Sequence, residues 1–237
     1  IKMNFELSEE QKMIQQSVER FVQENYDLTN RVKISSEDPG YSQEYWTAMA
    51  ELGWLGLAFS EEEGGFGGNQ IDTLVLMEQF GKGLVLEPFL ANIVLGGGAI
   101  KRGGTPAIKE SVLPNLIEGN LQVTLAYAEE QSRFDIEDVA TAAREDGSNF
   151  IINGKKSMVL NAESADKIVV VTRTSGSQVD EDGISLFLVD ATSKGIEREN
   201  FPTVDGLRAS EITFTDVEVP SYNLIGEKDK GFLILQA

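Results

Sequence analysis

The sequence predicts an α+β protein with two kinds of domain, an all-helical N-terminal bundle and an antiparallel β-barrel or sandwich. Apolar residues recur at helical spacing before residue 120 and alternate along short segments after it. No helical segment separates those later segments, which is typical of an antiparallel sheet. We therefore expect an N-terminal domain at 1–120, a middle β domain at 121–231, and the start of a C-terminal helical domain at 232–237.

Caps as well as periodicity mark the helices of the first half. Ser8 and Gln11 form a capping box ahead of an apolar face. Ser42 can cap a helix that ends before Gly53, and Pro106 lies in the first turn of the last helix. The apolar segments 71–80 and 89–95 are also expected to be helical.

Strands are predicted after residue 120 from period-2 alternation and from turn residues. Asn153 followed by Gly154 predicts a hairpin turn, because both residue types accept positive φ, and residues 145–148 predict another turn. The predicted strands cover residues 122–127, 139–143, 150–152, 168–172, 184–189 and 211–219. The apolar segment 232–235 is too short to be a stable helix alone, which predicts that the chain is cut from a longer protein.

The composition excludes several classes of chemistry. The 237 residues include neither Cys nor His, which excludes disulfides, thiolate or imidazole metal ligands, and a Ser-His-Asp triad. The formal net charge of −19 opposes binding to nucleic acid or to an anionic membrane. No apolar run is long enough to span a membrane, so we expect a cytoplasmic protein. Because Cys and His ligands are absent, we also expect no metal site. Acid–base chemistry then falls to carboxylates, Lys, Tyr or a cofactor.

The glycine clusters do not form a nucleotide-binding motif. The run at 64–68 follows no strand and has Gln70 where G-x-G-x-x-G needs its last glycine. Residues 81–83 and 154–156 lack the spacing of a P-loop. The run at 96–98 lies in a helical segment, where glycines usually permit close packing. We expect structural roles for all four clusters.

Five segments resemble, in order along the chain, the acyl-CoA dehydrogenase family. Residues 52–57 and the Glu- and Gly-rich residues 60–68 are similar to its N-terminal domain pattern. Residues 126–129 stand where the family has its flavin-side strand, and 152–156 match its "INGxK" segment. Residues 206–226 match its "G.R.S…F.dV.VP..nliG" run.

The resemblance implies an FAD-dependent oxidoreductase that converts an acyl-CoA to a trans-2-enoyl-CoA and passes electrons to an electron-transferring flavoprotein. It also implies that a glutamate of a C-terminal helical domain is the catalytic base, so we expect the base beyond Ala237 and no activity in this chain alone. Residues 85–91 with 95–98, and residues 182–190, resemble more narrowly the small subunit of pimeloyl-CoA dehydrogenases. That likeness implies a dicarboxylyl-CoA substrate and a homologous large subunit; the alternative is self-association, as a tetramer when full length.

Carried over residue by residue, the resemblance implies a flavin site formed by Tyr127, Ala128, Glu129, Met158 and Leu160. Ala128 and Leu160 stand where the family has hydroxyl side chains. Their loss, at about 1 kcal/mol for each hydroxyl, weakens flavin binding without abolishing it. Judged as strand residues alone, Tyr127 and Met158 are equally well explained as core.

Arg133, Phe134 and Asp135 are the candidate substrate residues. Arg133 can bind a CoA phosphate or a distal substrate carboxylate, and the ordinary alternative is a surface ion pair. Arg208, in the best-matched motif, is a structural candidate. Two functions stay open: an FAD-binding enzyme subunit, and a non-catalytic, flavin-free assembly subunit of a heteromeric dehydrogenase. A stand-alone interaction module is a third, weaker alternative.

Overall fold

The computed structural model describes residues 6–236, in two compact units, one up to Glu87 and one from Pro88. The first unit is helical, and the second joins helices to a sheet with mainly antiparallel pairings. The predicted α+β class is therefore confirmed. The change from helix to strand falls near residue 120, whereas the compact units divide at residue 87. The domain limits 1–120 and 121–231 stay a prediction.

Capping residues position the helices of the first unit. Gln11 donates its backbone N–H to Ser8 Oγ at 3.1 Å, and Ser8 donates its own to Gln11 Oε1 at 3.0 Å, which confirms the capping box. Ser42 caps its helix as predicted, and Gly53 has φ +78°. The helices are α1 (Glu9–Asn25), α2 (Leu28–Ser36), α3 (Gln43–Glu51) and α4 (Gln70–Gly83). The helix α2 was not predicted, because it buries none of its side chains and so shows no apolar face.

Three helical segments open the second unit: a π-helix (Leu90–Gly97), α5 (Gly98–Gly103) and α6 (Pro106–Ile117). The apolar segment 89–95 is helical as predicted. A Cβ at Gly96 would lie 2.4 Å from the carbonyl oxygen of Val123, so this glycine permits the helix to approach the first strand. Within residues 6–236, none of the helices combines the length and apolar content that a bilayer crossing requires.

In the part of the chain that the structure describes, eight strands form one sheet, in the order β6-β7-β3-β2-β4-β5-β8, and β1 pairs with β4. The strands are β1 (Val123–Ala126), β2 (Ala142–Asp146), β3 (Asn149–Leu160), β4 (Lys167–Arg173), β5 (Ile184–Asp190), β6 (Ile196–Pro202), β7 (Arg208–Pro220) and β8 (Leu224–Ile225); a short α7 (Phe232–Gln236) follows. The β1–β4 pairing is parallel, as is the single bridge between β2 and β4, and neither was predicted. The strand β6 was missed because it is largely polar and half exposed.

The predicted hairpin turn at Asn153–Gly154 is wrong. The strand β3 runs through both residues, and the turn that joins it to β2 lies at residues 147–148, within the other predicted turn. Gly154 has φ +151°, and a Cβ there would lie 2.6 Å from the Cα of Thr141. Gly154 therefore permits a register shift between β3 and β7 and a close approach to the backbone of Thr141. It does not form a turn.

Apolar side chains of β3, β4, β5 and β7 form the core of the sheet unit. The rings of Phe150 and Phe187 lie 4.7 Å apart between centroids, and Phe214 is buried with them. This packing fixes β3 between β2 and β7, and the functional residues predicted on β3 are held by it.

Candidate functional site

A β-bulge in β3 decides where Met158 points. Lys156 pairs with Ile212 and Val159 pairs with Ser210, so two residues of β3 face the single residue Glu211. Simple alternation would place Met158 on the inner face with Lys156. The bulge turns Val159 inward instead and leaves Met158 50% exposed, with φ +51°.

The end of β1 lies directly against this bulge. The Lys156 Nζ donates to the carbonyl of Tyr127 at 3.2 Å, and the Ser157 N–H donates to the carbonyl of Ala128 at 2.9 Å. We call residues 127–129 and 156–158 the β1–β3 junction. It brings together four of the five residues predicted to bind flavin: Tyr127, Ala128, Glu129 and Met158.

A buried ion pair underlies the junction. The Lys156 ammonium lies 2.6 Å from the Glu129 carboxylate, and their side chains are 0% and 4% exposed. The same carboxylate accepts the N–H groups of Ala140 at 2.8 Å and Thr141 at 3.0 Å, and the side-chain amide of Gln131 at 2.7 Å. The Glu129 side chain is thus fully engaged inside the protein, so it is not available to a ligand.

The electrostatics of the pair keep both groups charged near neutral pH. Burial acts to raise the pKa of Glu129, but the Lys156 ammonium and the hydrogen-bond donors outweigh it and hold that pKa below its ordinary value. Burial lowers the pKa of Lys156 to about 8, against the opposing effect of Glu129. The pair therefore works as a fixed charge-assisted link at pH 7.

Leu160 lies at the end of β3, beside β1. Its carbonyl accepts the hydroxyl of Thr124 at 2.6 Å, and its side chain is half-buried. The family resemblance implies a contact between this position and flavin. That assignment stays a prediction, and any contact from Leu160 would use apolar atoms.

The predicted substrate residues lie on a loop connected to Glu129. Arg133, Phe134 and Asp135 are all exposed, Phe134 to 98%, and Arg133 has φ +50°. Ser132 accepts the N–H of Glu129 at 3.1 Å, which ties the loop to the β1–β3 junction. A substrate role for the three residues stays a prediction.

Arg173 holds the far end of this loop. One terminal nitrogen of its guanidinium donates to the carbonyls of Asp180 and Asp182, and the other to those of Glu137 and Gln178, each at 2.8 Å. Neither Arg173 nor Lys156 was predicted as a site residue. For Lys156 a signal existed, since period-2 alternation places it on the same face as Phe150 and Ile152.

A separate groove of about 710 Å³ lies between α6 and the strands β4 and β5. Its walls are mainly apolar and include Ile108, Val112 and Leu188, with Lys167 and Asp190 forming an ion pair at 2.8 Å. None of the predicted site residues lines this groove. The β1–β3 junction, rather than this groove, holds residues predicted to bind flavin, and their role in flavin binding stays a prediction.

The fold defines a class of protein: a helical N-terminal region followed by a unit built on a mainly antiparallel sheet. Two models of known protein families match this arrangement in the same order along the chain. Residues 8–120 match the model described as "Acyl-CoA dehydrogenase, N-terminal domain", and residues 124–217 match "Acyl-CoA dehydrogenase, middle domain". The chain belongs to the acyl-CoA dehydrogenase family.

Individual relatives are similar over nearly the whole chain. It is 30% identical over 237 residues to mitochondrial isovaleryl-CoA dehydrogenase of Pongo abelii, covering 98% of this chain and 56% of that protein. It is 30% identical over 231 residues to subunit CarC of the caffeyl-CoA reductase–Etf complex of Acetobacterium woodii, covering 95% and 60%. A chain of the ChsE4–ChsE5 complex from Mycobacterium tuberculosis superposes with a TM-score of 0.85 at 25% identity, covering 99% of this chain and 60% of that one. The chain thus spans between 56% and 60% of the length of these relatives.

Proposed function

We propose that this chain is part of a cytoplasmic FAD-dependent acyl-CoA dehydrogenase subunit that oxidises an acyl-CoA to the trans-2-enoyl-CoA. The family match supports the reaction class. The observation that carries the proposal is the β1–β3 junction, which brings together four of the residues that the resemblance assigns to the flavin site. When bound, the flavin accepts the β-hydrogen of the substrate as hydride.

The residues at the junction fit a flavin ring through main-chain groups and apolar side chains. Tyr127 is 40% exposed and Met158 50% exposed, although both belong to strand-end segments that are otherwise packed. The Met158 sulfur can pack on an aromatic ring. Ala128 is half-buried beside them, and its main chain is held by Ser157. In this proposal Tyr127, Ala128, Met158 and Leu160 contact the ring.

Glu129 keeps a different role in the same proposal. The resemblance assigned it to the flavin site, but its carboxylate already has four partners inside the protein. In this proposal its side chain neutralises the buried Lys156 ammonium and does not contact the ring. The α-proton of the substrate is taken by a carboxylate that the family supplies from its C-terminal helical domain.

The substrate end of the proposal rests on the loop that carries Arg133. Residues 130–138 contain one basic side chain, Arg133, and four acidic ones. An exposed arginine in that setting can bind a phosphate of CoA or the distal carboxylate of a dicarboxylyl-CoA in bidentate fashion. Phe134 and Asp135 would flank the same ligand.

The proposed partners are a homologous large subunit and an electron-transferring flavoprotein. Two similar proteins support this: CarC belongs to a caffeyl-CoA reductase–Etf complex, and ChsE4–ChsE5 is a complex of two different chains. The alternative is self-association into a tetramer, which a measurement of the oligomeric state distinguishes from pairing with a large subunit.

A flavin-free assembly subunit is the second candidate function. Ala128 and Leu160 lack the hydroxyls that the resemblance assigns to the flavin site. Each missing hydrogen bond weakens binding by about 1 kcal/mol. This candidate predicts a well-folded, colourless protein that is active only through its partner.

The test is to purify the full-length protein, alone and co-expressed with its partner, and to record its flavin absorption and oligomeric state. We expect the full-length protein to contain bound FAD, and an acyl-CoA added without oxygen to bleach the flavin absorption. A colourless protein that cannot be reconstituted with FAD would instead support the assembly subunit. Comparing mono- and dicarboxylic acyl-CoAs with Arg133→Gln tests the arginine: only the dicarboxylic substrate should lose affinity if Arg133 binds the distal carboxylate.

The variants Ala128→Thr and Leu160→Thr give a second, independent measurement. If the junction holds the ring, a hydroxyl restored at position 128 or 160 should tighten FAD binding about fivefold, the equivalent of one hydrogen bond. The matched control is Val204→Thr, which adds a hydroxyl at a fully exposed hairpin position. Equal FAD affinity in all three variants would place the ring elsewhere.

A further inference from the structure

Lys156 controls the direction of a single peptide group at the β1–β3 junction. Its ammonium is 0% exposed and has two acceptors, the Glu129 carboxylate at 2.6 Å and the Tyr127 carbonyl at 3.2 Å. Two acceptors from one short segment leave the ammonium little freedom. The carbonyl of Tyr127 is therefore fixed toward the interior of the sheet unit.

A trans peptide group points its N–H opposite to its C=O. The C=O of Tyr127 and the N–H of Ala128 belong to the same peptide group, so directing that carbonyl at Lys156 directs the Ala128 N–H away from it. The next peptide group is already satisfied, because the Ala128 carbonyl accepts from Ser157 and the Glu129 N–H donates to Ser132. Ala128 N–H is thus the donor whose direction Lys156 sets.

We propose that Lys156 is a positioning residue of the flavin site, which orients the Ala128 N–H toward the ring edge through the Tyr127 carbonyl. The inference rests on the proposed function. It matters more in this chain than in relatives with a hydroxyl at position 128, because Ala128 has only its main chain to offer. Where a hydroxyl at position 128 would bind the flavin directly, the Lys156 ammonium acts instead by orienting the backbone N–H of Ala128.

Glu129 has a separable task. It neutralises the buried ammonium and connects it to the N–H groups of Ala140 and Thr141, but it makes no contact that orients the Tyr127 carbonyl. Removing either partner breaks the ion pair, yet only removal of Lys156 releases that carbonyl. The two single variants therefore separate a structural role from a positioning role.

The experiment measures FAD affinity, the absorption spectrum of bound flavin and the melting temperature in the full-length protein. Lys156→Met and the double variant Glu129→Gln/Lys156→Met should bind FAD about tenfold more weakly, with an altered band shape, because an oriented donor is lost. Glu129→Gln should melt at a lower temperature but keep the FAD affinity and spectrum of the wild type. Lys167→Met, which removes a half-buried lysine of β4 whose ion pair is with Asp190, is the matched control and should keep the FAD affinity and spectrum of the wild type.

Each outcome is decisive. If Lys156→Met does not fold, the double variant, which leaves no unpaired buried charge, supplies the comparison with Glu129→Gln. Wild-type affinity and spectrum in the Lys156 variants would overturn the inference and leave the proposed function intact. Equal losses of FAD affinity in the Glu129 and Lys156 variants would mean that the ion pair has only a structural role, and they would overturn the inference as well. A wild-type protein that binds no FAD would overturn the proposed function itself.

Discussion

The carboxylate of Glu211 accepts the backbone N–H of Met158 at 3.3 Å, across the bulge that turns Met158 outward. It also accepts the hydroxyl of Ser157 at 3.0 Å. One side chain on β7 therefore contacts both bulged residues of β3 and supplies the acceptor that the bulge removes from the Met158 N–H, whereas the Ser157 N–H donates to Ala128.

Glu211→Ala should loosen the bulge. We expect the free energy of unfolding to fall by about 1 kcal/mol, because the Met158 N–H and the Ser157 hydroxyl lose their acceptor. Urea denaturation measures this, and Glu197→Ala, at an exposed position of the adjacent strand β6, is the control and should change stability by less than about 0.5 kcal/mol. Similar small effects in both variants would mean that the bulge holds without Glu211.

Local signals predicted most of the fold. The cap at Ser8, the proline of α6 and the alternation in β4 and β5 act within a few residues, so the sequence alone was enough to find them. The missed elements lack such signals: α2 buries no side chain, and β6 alternates too weakly to stand out. The parallel pairing of β1 with β4 depends on contacts between distant segments, which no local pattern encodes.

The site was predictable only in part, and for a physical reason. Residues 127–129 and Met158 were placed by motif, and the structure brings them together. Simple alternation along β3 would bury Met158. It is exposed because the register between β3 and β7 shifts at this point. The Asn153–Gly154 pair was misread because a glycine needed for a close approach to Thr141 looks the same in sequence as a glycine needed for a turn.

Glu129→Gln should make stability less dependent on acid pH. The pKa of Glu129 is held below its ordinary value in the folded protein, so its stabilisation is present above the unfolded pKa and is lost as pH falls through the folded one. We expect the variant to lose about 3 kcal/mol at pH 7, with the difference from wild type shrinking as the pH falls below about 4.5. Guanidinium midpoints from pH 7 to pH 3 measure it, with the exposed neighbour variant Glu130→Gln as control. A constant difference over that range would contradict the assignment.

Two glycine variants should change stability in opposite directions. Gly96→Ala places a Cβ 2.4 Å from the Val123 carbonyl oxygen, so we expect a loss of about 2 kcal/mol as the helix and β1 are forced apart. Gly81→Ala, in the exposed part of α4, meets nothing within 4 Å and should stabilise by about 0.5–1 kcal/mol through helix propensity. Thermal melting of both variants tests the pair. A Gly96→Ala protein as stable as wild type would refute the close approach.

Arg173→Lys should release the loop that carries Arg133. Four carbonyl groups, from Glu137 and from residues 178–182, share one guanidinium, and an ammonium cannot reach all four with comparable geometry. We expect a loss of about 2 kcal/mol and faster tryptic cleavage after Arg133, which is exposed on that loop.

Arg198→Lys separates a released loop from a general loss of stability. Arg198 also binds two carbonyls, those of Ala162 and Ala191, but neither belongs to the loop at 130–138. Its replacement should lower stability in a similar way without speeding cleavage after Arg133, because that loop keeps its anchor at Arg173. Equal cleavage rates in the two variants, read by mass spectrometry of the first tryptic fragments, would show that the loop follows global unfolding and that Arg173 does not hold it.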